Sequence, residues 1–192
     1  MDEIGDAVEV LVSAGTDKKN IIVLHCNTQY PTELKDANLR AMQSIEKELC
    51  VKVGYSDHTI GMEASICAIS LGARIIEKHF TISKNYSSFR DHQLSADPKE
   101  LKELAHVIRK TEALLGSNKK QLLECEKNTY LAARRSIVSA KDLVEGSIIK
   151  EDDFIALRPL KNIPAEKLSK IVGKRINKSI KKGIFINNSD IS

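Results

Sequence analysis

The chain has 192 residues, of which 42% are apolar and 29% are charged, and no apolar run approaches the ~20 residues that a membrane-spanning helix needs. Its start shows no signal-peptide pattern and its four cysteines form no C-x-x-C pair, so disulfides and structural zinc are not expected. The net charge of +4 is concentrated in residues 133–192 without interleaved aromatics, which favours an anionic ligand over nucleic acid. A cytoplasmic protein with no membrane partner is predicted.

The first 116 residues alternate between helix and strand patterns. Apolar residues at helical spacing predict helices over residues 4–11, 39–49, 62–71 and 98–115, the last with Asp97 as N-cap and Gly116 as its stop. Strands are predicted between these helices, over residues 21–24, 51–55 and 73–77. The first strand is an unbroken apolar run, as expected for a strand buried on both faces. This alternation with short connections predicts right-handed βα units around a parallel sheet.

The sequence pattern changes after Gly116. Residues 117–132 begin with a polar stretch and are interpreted as a linker, and residues 133–192 contain short β-type runs and turn glycines. A weak internal repeat runs through this second part, in which an apolar residue, a glycine, an aspartate and another apolar residue recur at the same spacing. The repeated positions are Leu143, Gly146, Asp153 and Phe154 in one copy and Ile180, Gly183, Asp190 and Ile191 in the other. A pseudo-duplicated small β domain is therefore predicted.

Polar residues cluster at the carboxyl ends of the three predicted strands. The segments are His25–Thr32, Gly54–Thr59 and Glu77–Phe80. In an array of βα units these strand ends form the rim of the active site. Because successive strand residues face opposite sides, Ser56 and His58 are expected to share one face, and so are Glu77 and His79.

The residues alone permit two interpretations of His58 and His79. Histidines at adjacent strand ends could share a divalent metal through their ring nitrogens, with Glu77 as an inner or outer oxygen partner. A histidine at a strand end is also often structural, and the pattern does not decide between the two. Four other residues are expected to be structural: His25 in packing, His92 in a loop hydrogen bond, His106 on the surface and Cys26 in the core.

These segments closely resemble those of the N-acetylneuraminate synthase family, which includes the legionaminic and pseudaminic acid synthases. The resemblance rests on the Ser-Asp-His-Thr run at residues 56–59 and the Glu-Lys-His-Phe run at residues 77–80. Further matches follow in the family's order: Asp91-His92, Ser95, Pro98, Arg134–Val138, Arg158-Pro159 and Gly173-Lys174. The resemblance covers essentially the whole chain.

The resemblance implies an α/β fold: the C-terminal three βα units of a TIM (β/α)8 barrel over residues 1–116, then a small β-rich antifreeze-like or SAF domain of the β-clip type over residues 133–192. It implies an enzyme that condenses phosphoenolpyruvate with an N-acetylated amino sugar, either N-acetylmannosamine or a 2,4-diacetamido sugar. The products would be a nonulosonic, sialic-acid-type acid and phosphate. Since such a barrel needs eight strands, the chain is expected to be a truncated synthase that is inactive alone.

The resemblance also implies roles for particular residues. It implies a divalent metal ion, expected to be Mn2+ with Mg2+ or Co2+ as alternatives, held by His58 and His79. It implies catalytic roles for Glu77 and Asp91. The implied substrate-binding residues are Asn27, Thr28, Tyr30, Ser56 and Arg158. In the family's domain-swapped homodimers, the arginine that matches Arg158 reaches into the partner's barrel and binds the N-acetyl group of the sugar.

Two local departures from the family and two rival interpretations are left open, as is the identity of the amino sugar. The glycine- and proline-rich run before the Asp-His pair is replaced by Ser-Ser-Phe-Arg at residues 87–90, and the glycine after Arg-Pro is replaced by Leu160.

One rival is an aldolase, which is disfavoured because Lys78 is expected to face away from His79 and no strand carries a clear Schiff-base lysine. The other is a free-standing antifreeze-like carbohydrate-binding module with a vestigial barrel arm.

Overall fold

The predicted alternation of helices and strands is present in the computed structural model, which describes residues 1–192. The chain divides into two units, Met1–Asn118 and Lys119–Ser192. The first contains α1 (Asp2–Ser13), β1 (Ile22–Cys26), α2 (Ala41–Leu49), β2 (Lys52–Asp57), α3 (Glu63–Ser70), β3 (Ile76–Lys78), α4 (Asp91–Leu94) and α5 (Pro98–Leu115). The second contains α6 (Lys127–Ala133), β4 (Ser136–Ser139) and β5 (Phe154–Leu157). No helix combines the length and the apolar character that crossing a lipid bilayer requires.

The boundary between the units falls within residues 117–132, the segment interpreted from the sequence as a linker. Part of this segment is helical, because a 3-10 turn at Glu124–Glu126 leads directly into α6. The segment therefore has secondary structure of its own and belongs to the second unit from Lys119 onward.

Strands β1, β2 and β3 form a parallel sheet with β2 in the centre. In the register of the sheet, Cys26 lies beside Ser56, and Ser56 lies beside Glu77. The carboxyl ends of the three strands are therefore level at one edge. The loops that carry Asn27, Thr28, Tyr30, His58 and His79 leave from this common edge.

An aliphatic core forms where α2 and α3 pack against β2. Its buried members include Met42, Ile45, Val53, Tyr55 and Ala68. Burial, together with the nearby carboxylate of Asp57 and the thiol of Cys26, raises the pKa of the Tyr55 phenol to about 12. The core thus ends directly beneath the strand segment that carries Ser56 and His58.

The burial of β1 differs from the expectation drawn from its apolar run. Ile22, Val23 and Leu24 are only partly buried, and Cys26 is exposed. The expectation of a strand buried on both faces is wrong for this chain, because β1 pairs with β2 on one side and has no strand on the other.

Gly54 lies at a point in β2 where there is no room for a side chain. A β-carbon built there would overlap Leu24 Cδ2 and lie 2.7 Å from the backbone oxygen of Ile75. That oxygen accepts a hydrogen bond of 2.9 Å from the amide of Tyr55. A side chain at residue 54 would therefore disturb the backbone contact between β2 and the segment leading into β3.

Helix α5 begins and ends at the residues that the sequence predicts. Asp97 Oδ1 accepts a hydrogen bond of 2.8 Å from the amide of Glu100, and Glu100 Oε2 accepts one of 3.1 Å from the amide of Asp97. This reciprocal capping box satisfies two amides that the first turn of a helix leaves free. The helix stops at Gly116, whose φ of 55° suits glycine.

The second unit is built from two related halves, as the internal repeat predicts. Leu143 and Ile180 occupy equivalent positions and exchange two backbone hydrogen bonds, of 2.8 Å and 2.9 Å. The equivalent amides of Gly146 and Gly183 each donate to a backbone oxygen of the opposite half, at 2.7 Å and 2.9 Å. The predicted pseudo-duplication is confirmed, and Leu143 and Ile180 lie at its pseudo-twofold axis.

Each half also contains a buried aspartate at an equivalent position, Asp153 and Asp190. Each carboxylate accepts a hydrogen bond of 2.8 Å from the backbone amide three residues before it. Asp153 also lies 2.7 Å from Lys141 Nζ, and Asp190 lies 2.8 Å from Lys178 Nζ. Burial by itself would raise the pKa of each carboxyl, but the lysine and amide donors outweigh it, so both pKa values lie below the usual 3.8.

Replacing both aspartates with asparagine is expected to lower the stability of the second unit at neutral pH and to weaken its acid sensitivity. A lowered carboxyl pKa stabilises the folded state above the unfolded pKa, and this contribution is lost as the pH falls through the folded pKa. The expected loss at pH 7 is about 1 kcal/mol per site. Urea unfolding at pH 7 and pH 3, followed by NMR signals of β4 and β5, measures it. Equal pH dependence in the parent and the variant would contradict this account.

Candidate active site

Three aromatic side chains meet at the carboxyl edge of the sheet: Tyr30, His58 and His79. The Tyr30 ring stacks on the His58 ring, with centroids 4.1 Å apart and planes at 29°. The His79 ring meets both edge-on, at 5.5 Å from Tyr30 and 5.2 Å from His58. The two histidines therefore lie on the same face of the sheet.

The loop after β1 holds His58 in one orientation. The residue is 5% exposed, and its Nδ1 lies 2.6 Å from the backbone oxygen of Asn27. Since a carbonyl oxygen can only accept, Nδ1 carries the proton, and Nε2 keeps its lone pair in the neutral ring. The backbone oxygen of His58 accepts a hydrogen bond of 2.9 Å from the amide of Thr32. The same loop thus fixes both the ring and the backbone of His58.

The half-buried ring of His79 forms no hydrogen bond. Each of the two histidines therefore keeps a ring nitrogen that no protein group occupies. This donor set fits a divalent ion that takes two imidazoles and leaves positions for water and substrate oxygen. No three His, Cys, Asp or Glu side chains converge on one point, so the arrangement is not that of a closed structural site.

Ser56 and Glu77 form a hydrogen-bonded pair beside the histidines. Ser56 is buried and its hydroxyl donates to Glu77 Oε1 at 2.6 Å, whereas Glu77 is exposed. One carboxylate oxygen is thus oriented by a fixed donor while the other is open to a ligand. Glu77 does not join the histidines in a three-residue ligand cluster, which is consistent with an outer role for its carboxylate.

The segment after β3 brings Arg90 to the aromatic group, and Asp91 lies beside Arg90. Arg90 Cζ lies 5.6 Å from the centroid of the Tyr30 ring, and Arg90 Nε lies 3.7 Å from Asp91 Oδ1. Asp91 is half-buried at the start of α4. Arg90 is not among the predicted site residues, because it falls in the run at 87–90 where the chain departs from the family. The sequence does offer one indication of its role, because Arg90 is a cation that directly precedes the predicted site residue Asp91.

The remaining predicted substrate-binding residues have other surroundings. Asn27 uses its side chain within its own loop, at 3.1 Å and 2.8 Å, and contacts His58 through its backbone oxygen. Thr28 is exposed. Arg158 belongs to the second unit, where its side chain is exposed and its peptide bond to Pro159 is cis. The first unit thus brings Tyr30, Ser56, His58, Glu77 and His79 together at one sheet edge. Arg158 belongs to the second unit.

Four residues were expected to lie outside the site, and three of them have the surroundings that the sequence predicts. His25 Nε2 lies 2.9 Å from a backbone oxygen, His92 Nδ1 lies 2.8 Å from the hydroxyl of Thr81, and His106 is exposed. The expectation that Cys26 lies in the core is wrong, because it is exposed at the end of the edge strand β1.

Asp57 and Lys78 alternate with the site residues and therefore point to the other face of the sheet. They form a buried ion pair of 3.1 Å. The pair was not predicted, although opposite charges at neighbouring strand ends are a recognisable signal. Lys78 faces away from His79, as expected, and because it is engaged with Asp57 these three strands offer no clear Schiff-base lysine for an aldolase.

The first unit has a parallel βα sheet with histidines and carboxylates at its carboxyl edge, and a pseudo-symmetric β unit follows it in sequence. This order is that of a barrel-type enzyme domain followed by an SAF-type domain. The NeuB family model matches residues 1–120, and the SAF domain model matches residues 134–192. The chain belongs to the NeuB family. The predicted family and fold class are thereby confirmed.

Relatives in this family have named activities. The N,N'-diacetyllegionaminic acid synthase of Campylobacter jejuni is 39% identical over 186 residues, which are 97% of this chain and 55% of that protein. Human N-acetylneuraminate-9-phosphate synthase is 35% identical over 82% of this chain and 44% of its own length. The chain spans about half the length of the curated relatives it matches.

Solved structures share the fold of this chain. The N-acetylneuraminic acid synthetase of Leptospira borgpetersenii, solved with citrate, matches 67% of this chain and 44% of its own, with a TM-score of 0.61 and 34% identity. The spore coat polysaccharide biosynthesis protein E of Chromobacterium violaceum matches 100% of this chain and 57% of its own, with a TM-score of 0.83. At 21% identity, this second likeness shows the fold alone.

Proposed function

We propose that this chain carries metal-binding and substrate-binding residues of a synthase that condenses phosphoenolpyruvate with an N-acetylated amino sugar. The products are a nonulosonic, sialic-acid-type acid and phosphate. The observation that carries the proposal is the pair His58 and His79, whose rings lie 5.2 Å apart at adjacent strand ends, each with a free nitrogen. Relatives named as legionaminic acid, pseudaminic acid and N-acetylneuraminate-9-phosphate synthases support this choice of reaction.

His58 and His79 are assigned to a divalent metal ion, Mn2+ first, with Mg2+ or Co2+ as alternatives. When bound, such an ion supplies Lewis-acid polarisation of the sugar aldehyde. The histidines suit this role because the backbone oxygen of Asn27 fixes which nitrogen of His58 carries the proton. Tyr30 covers one face of the His58 ring and keeps water from it.

Glu77 and Asp91 are the proposed catalytic carboxylates. In the reaction, C3 of phosphoenolpyruvate bonds to the aldehyde carbon, and the aldehyde oxygen takes up a proton to become a hydroxyl. Water adds at C2, and phosphate leaves with the bridging oxygen as the C–O bond breaks, so that C2 becomes a ketone. Glu77, oriented by its 2.6 Å hydrogen bond from Ser56, accepts a proton from the adding water. Asp91, at the start of α4, accepts hydrogen bonds from the sugar hydroxyls.

The anionic substrate needs hydrogen-bond donors and positive charge at the rim. Ser56 is assigned to phosphoenolpyruvate, and its one hydroxyl proton, which is donated to Glu77 in this structure, would turn to the anion when the substrate binds. Tyr30, Thr28 and the backbone of Asn27 are assigned to the rim around it. Arg158 is assigned to the N-acetyl group of the sugar in the barrel of a partner subunit, within a domain-swapped homodimer. These assignments rest on the resemblance of the motifs and are supported, for Tyr30 and Ser56, by their contacts with His58 and Glu77.

A chimeric enzyme tests the proposal. Residues 1–192 replace the region of the Campylobacter jejuni synthase with which they align, and phosphate release is measured with phosphoenolpyruvate, Mn2+ and a panel of N-acetylated amino sugars. Phosphate release is expected only when both phosphoenolpyruvate and an amino sugar are present. A folded chimera that releases no phosphate with any amino sugar would contradict the proposed function.

The 192-residue chain by itself is the matched control. It is expected to be inactive, because its sheet has three strands where a closed TIM barrel has eight. The side chains that would face the histidines across a barrel are therefore not supplied. Turnover by the purified chain alone would show that three βα units suffice and would refute this expectation.

A further inference from the structure

The buried ion pair of Asp57 and Lys78 lies on the face of the sheet opposite the histidines. Lys78 Nζ lies 3.1 Å from Asp57 Oδ2, and the two side chains are 4% and 0% exposed. Each residue directly precedes a proposed metal ligand, Asp57 before His58 and Lys78 before His79. Because side chains alternate along a strand, the ion pair and the histidines extend from the same two strand ends in opposite directions.

Both carboxylate oxygens and the ammonium group have further partners. Asp57 Oδ1 accepts hydrogen bonds of 2.8 Å from both the amide and the hydroxyl of Thr59. Asp57 Oδ2 accepts one of 2.5 Å from the hydroxyl of Ser65 in α3. Lys78 Nζ donates to the backbone oxygen of Thr59 at 2.9 Å. The network therefore joins β2, β3, the turn after β2 and α3 in a single arrangement.

A buried ion pair contributes little net stability, because desolvation of both charges offsets much of their attraction. What it does supply is a defined geometry, since its partners must keep fixed positions to satisfy the buried charges. Two metal ligands at adjacent strand ends need such a fixed geometry, because a change in strand separation would move their rings apart. The ion pair spans the same two strand ends that carry the rings 5.2 Å apart.

We propose that Asp57 and Lys78 are positioning residues that hold the rings of His58 and His79 in register for a shared metal ion. The metal part of this inference rests on the proposed function. The positioning part concerns the orientation of the rings and holds with or without the ion.

The double variant Asp57→Asn/Lys78→Met tests the inference in the full 192-residue chain. It removes both charges together, so neither is left buried without its partner, and it nearly preserves side-chain volume. Long-range 1H–15N NMR of the imidazoles reports the tautomer of His58, and titration with Co2+ alone reports metal affinity. The variant is expected to lose the uniform Nδ1-protonated state of His58 and to bind Co2+ about 10–100-fold more weakly.

A second double variant, Lys84→Met/Glu100→Gln, is the matched control. It removes the charges of the ion pair between Lys84 and Glu100, which measures 2.7 Å and joins the loop after β3 to α5. Gln can still complete the capping box of α5. This control is expected to keep the parent's His58 tautomer and Co2+ affinity.

Each outcome has a distinct meaning. A folded Asp57→Asn/Lys78→Met variant with the parent's tautomer and Co2+ affinity would overturn the positioning role. Failure of the parent to bind Co2+ would instead count against the metal in the proposed function, and the tautomer would still decide the positioning role. If the double variant does not fold, Lys78→Arg replaces it, because a planar guanidinium changes the spacing while keeping the charge. Parent-like values in that variant would equally overturn the inference.

Discussion

Replacing His58 or His79 with alanine is expected to reduce metal-dependent phosphate release by the chimeric enzyme about 10²–10³-fold or more. With two imidazoles as the protein ligands, the loss of either leaves a single histidine to hold the ion. Co2+ affinity of the 192-residue chain is expected to fall about 100-fold. Phosphate release and Co2+ titration measure the two effects independently.

His79 gives the cleaner of these two tests. Its ring forms no hydrogen bond, so its removal leaves no buried group without a partner. Removal of the His58 ring leaves the backbone oxygen of Asn27 with only the weak thiol donor of Cys26, at 3.7 Å, which is expected to cost about 1 kcal/mol of stability. His106→Ala, an exposed substitution on α5, is the control and should change neither quantity. Parent-like Co2+ affinity in His79→Ala would remove that residue from the site.

Alanine at Gly54 is expected to destabilise the first unit by about 3 kcal/mol. The added β-carbon would lie 2.7 Å from the backbone oxygen of Ile75, so the backbone that joins β2 to the start of β3 must move. The overlap with Leu24 can be relieved by a rotamer change, but the contact with a backbone atom cannot. Urea unfolding followed by the helical circular dichroism signal, which comes mainly from α1 to α5, measures the change.

Gly5→Ala provides the matched control for this substitution. Gly5 lies within α1, and a β-carbon there would meet only Leu49 Cδ2, at an ordinary 3.7 Å. Alanine is favoured over glycine inside a helix, so a gain of about 0.5–1 kcal/mol is expected. Equal effects of the two substitutions would mean that β2 tolerates a side chain at residue 54.

The side of the sheet to which each site residue points can be predicted from the sequence, because side chains along a strand alternate with a two-residue period. That period places His58 with Ser56 and His79 with Glu77, and parallel βα units bring their strand ends to one edge. The structure brings the two rings together in this way. The bounds of α5 were equally predictable, since Asp97, Pro98 and Gly116 are local signals that need no tertiary context.

Features that depend on the neighbours of an element were not predictable in the same way. The apolar run of β1 suits a strand with a neighbour on each side, but nothing in the run itself shows that β1 has only one. The same edge position explains why Cys26 is exposed. Arg90 lies over Tyr30 because of the path of a loop that departs from the family pattern. No periodicity describes such a path.

The hydrogen bonds between the halves of the second unit also affect its folding. Leu143 bonds to Ile180 and Ser139 bonds to Ile184, so each contact closes a long loop of chain. Contacts of this span form slowly, because the entropy of closing the loop is lost before the contacts compensate for it. The helices of the first unit need only local contacts for their first turns. We therefore expect a refolding chain to acquire helical structure in its first unit before the two halves of its second unit meet.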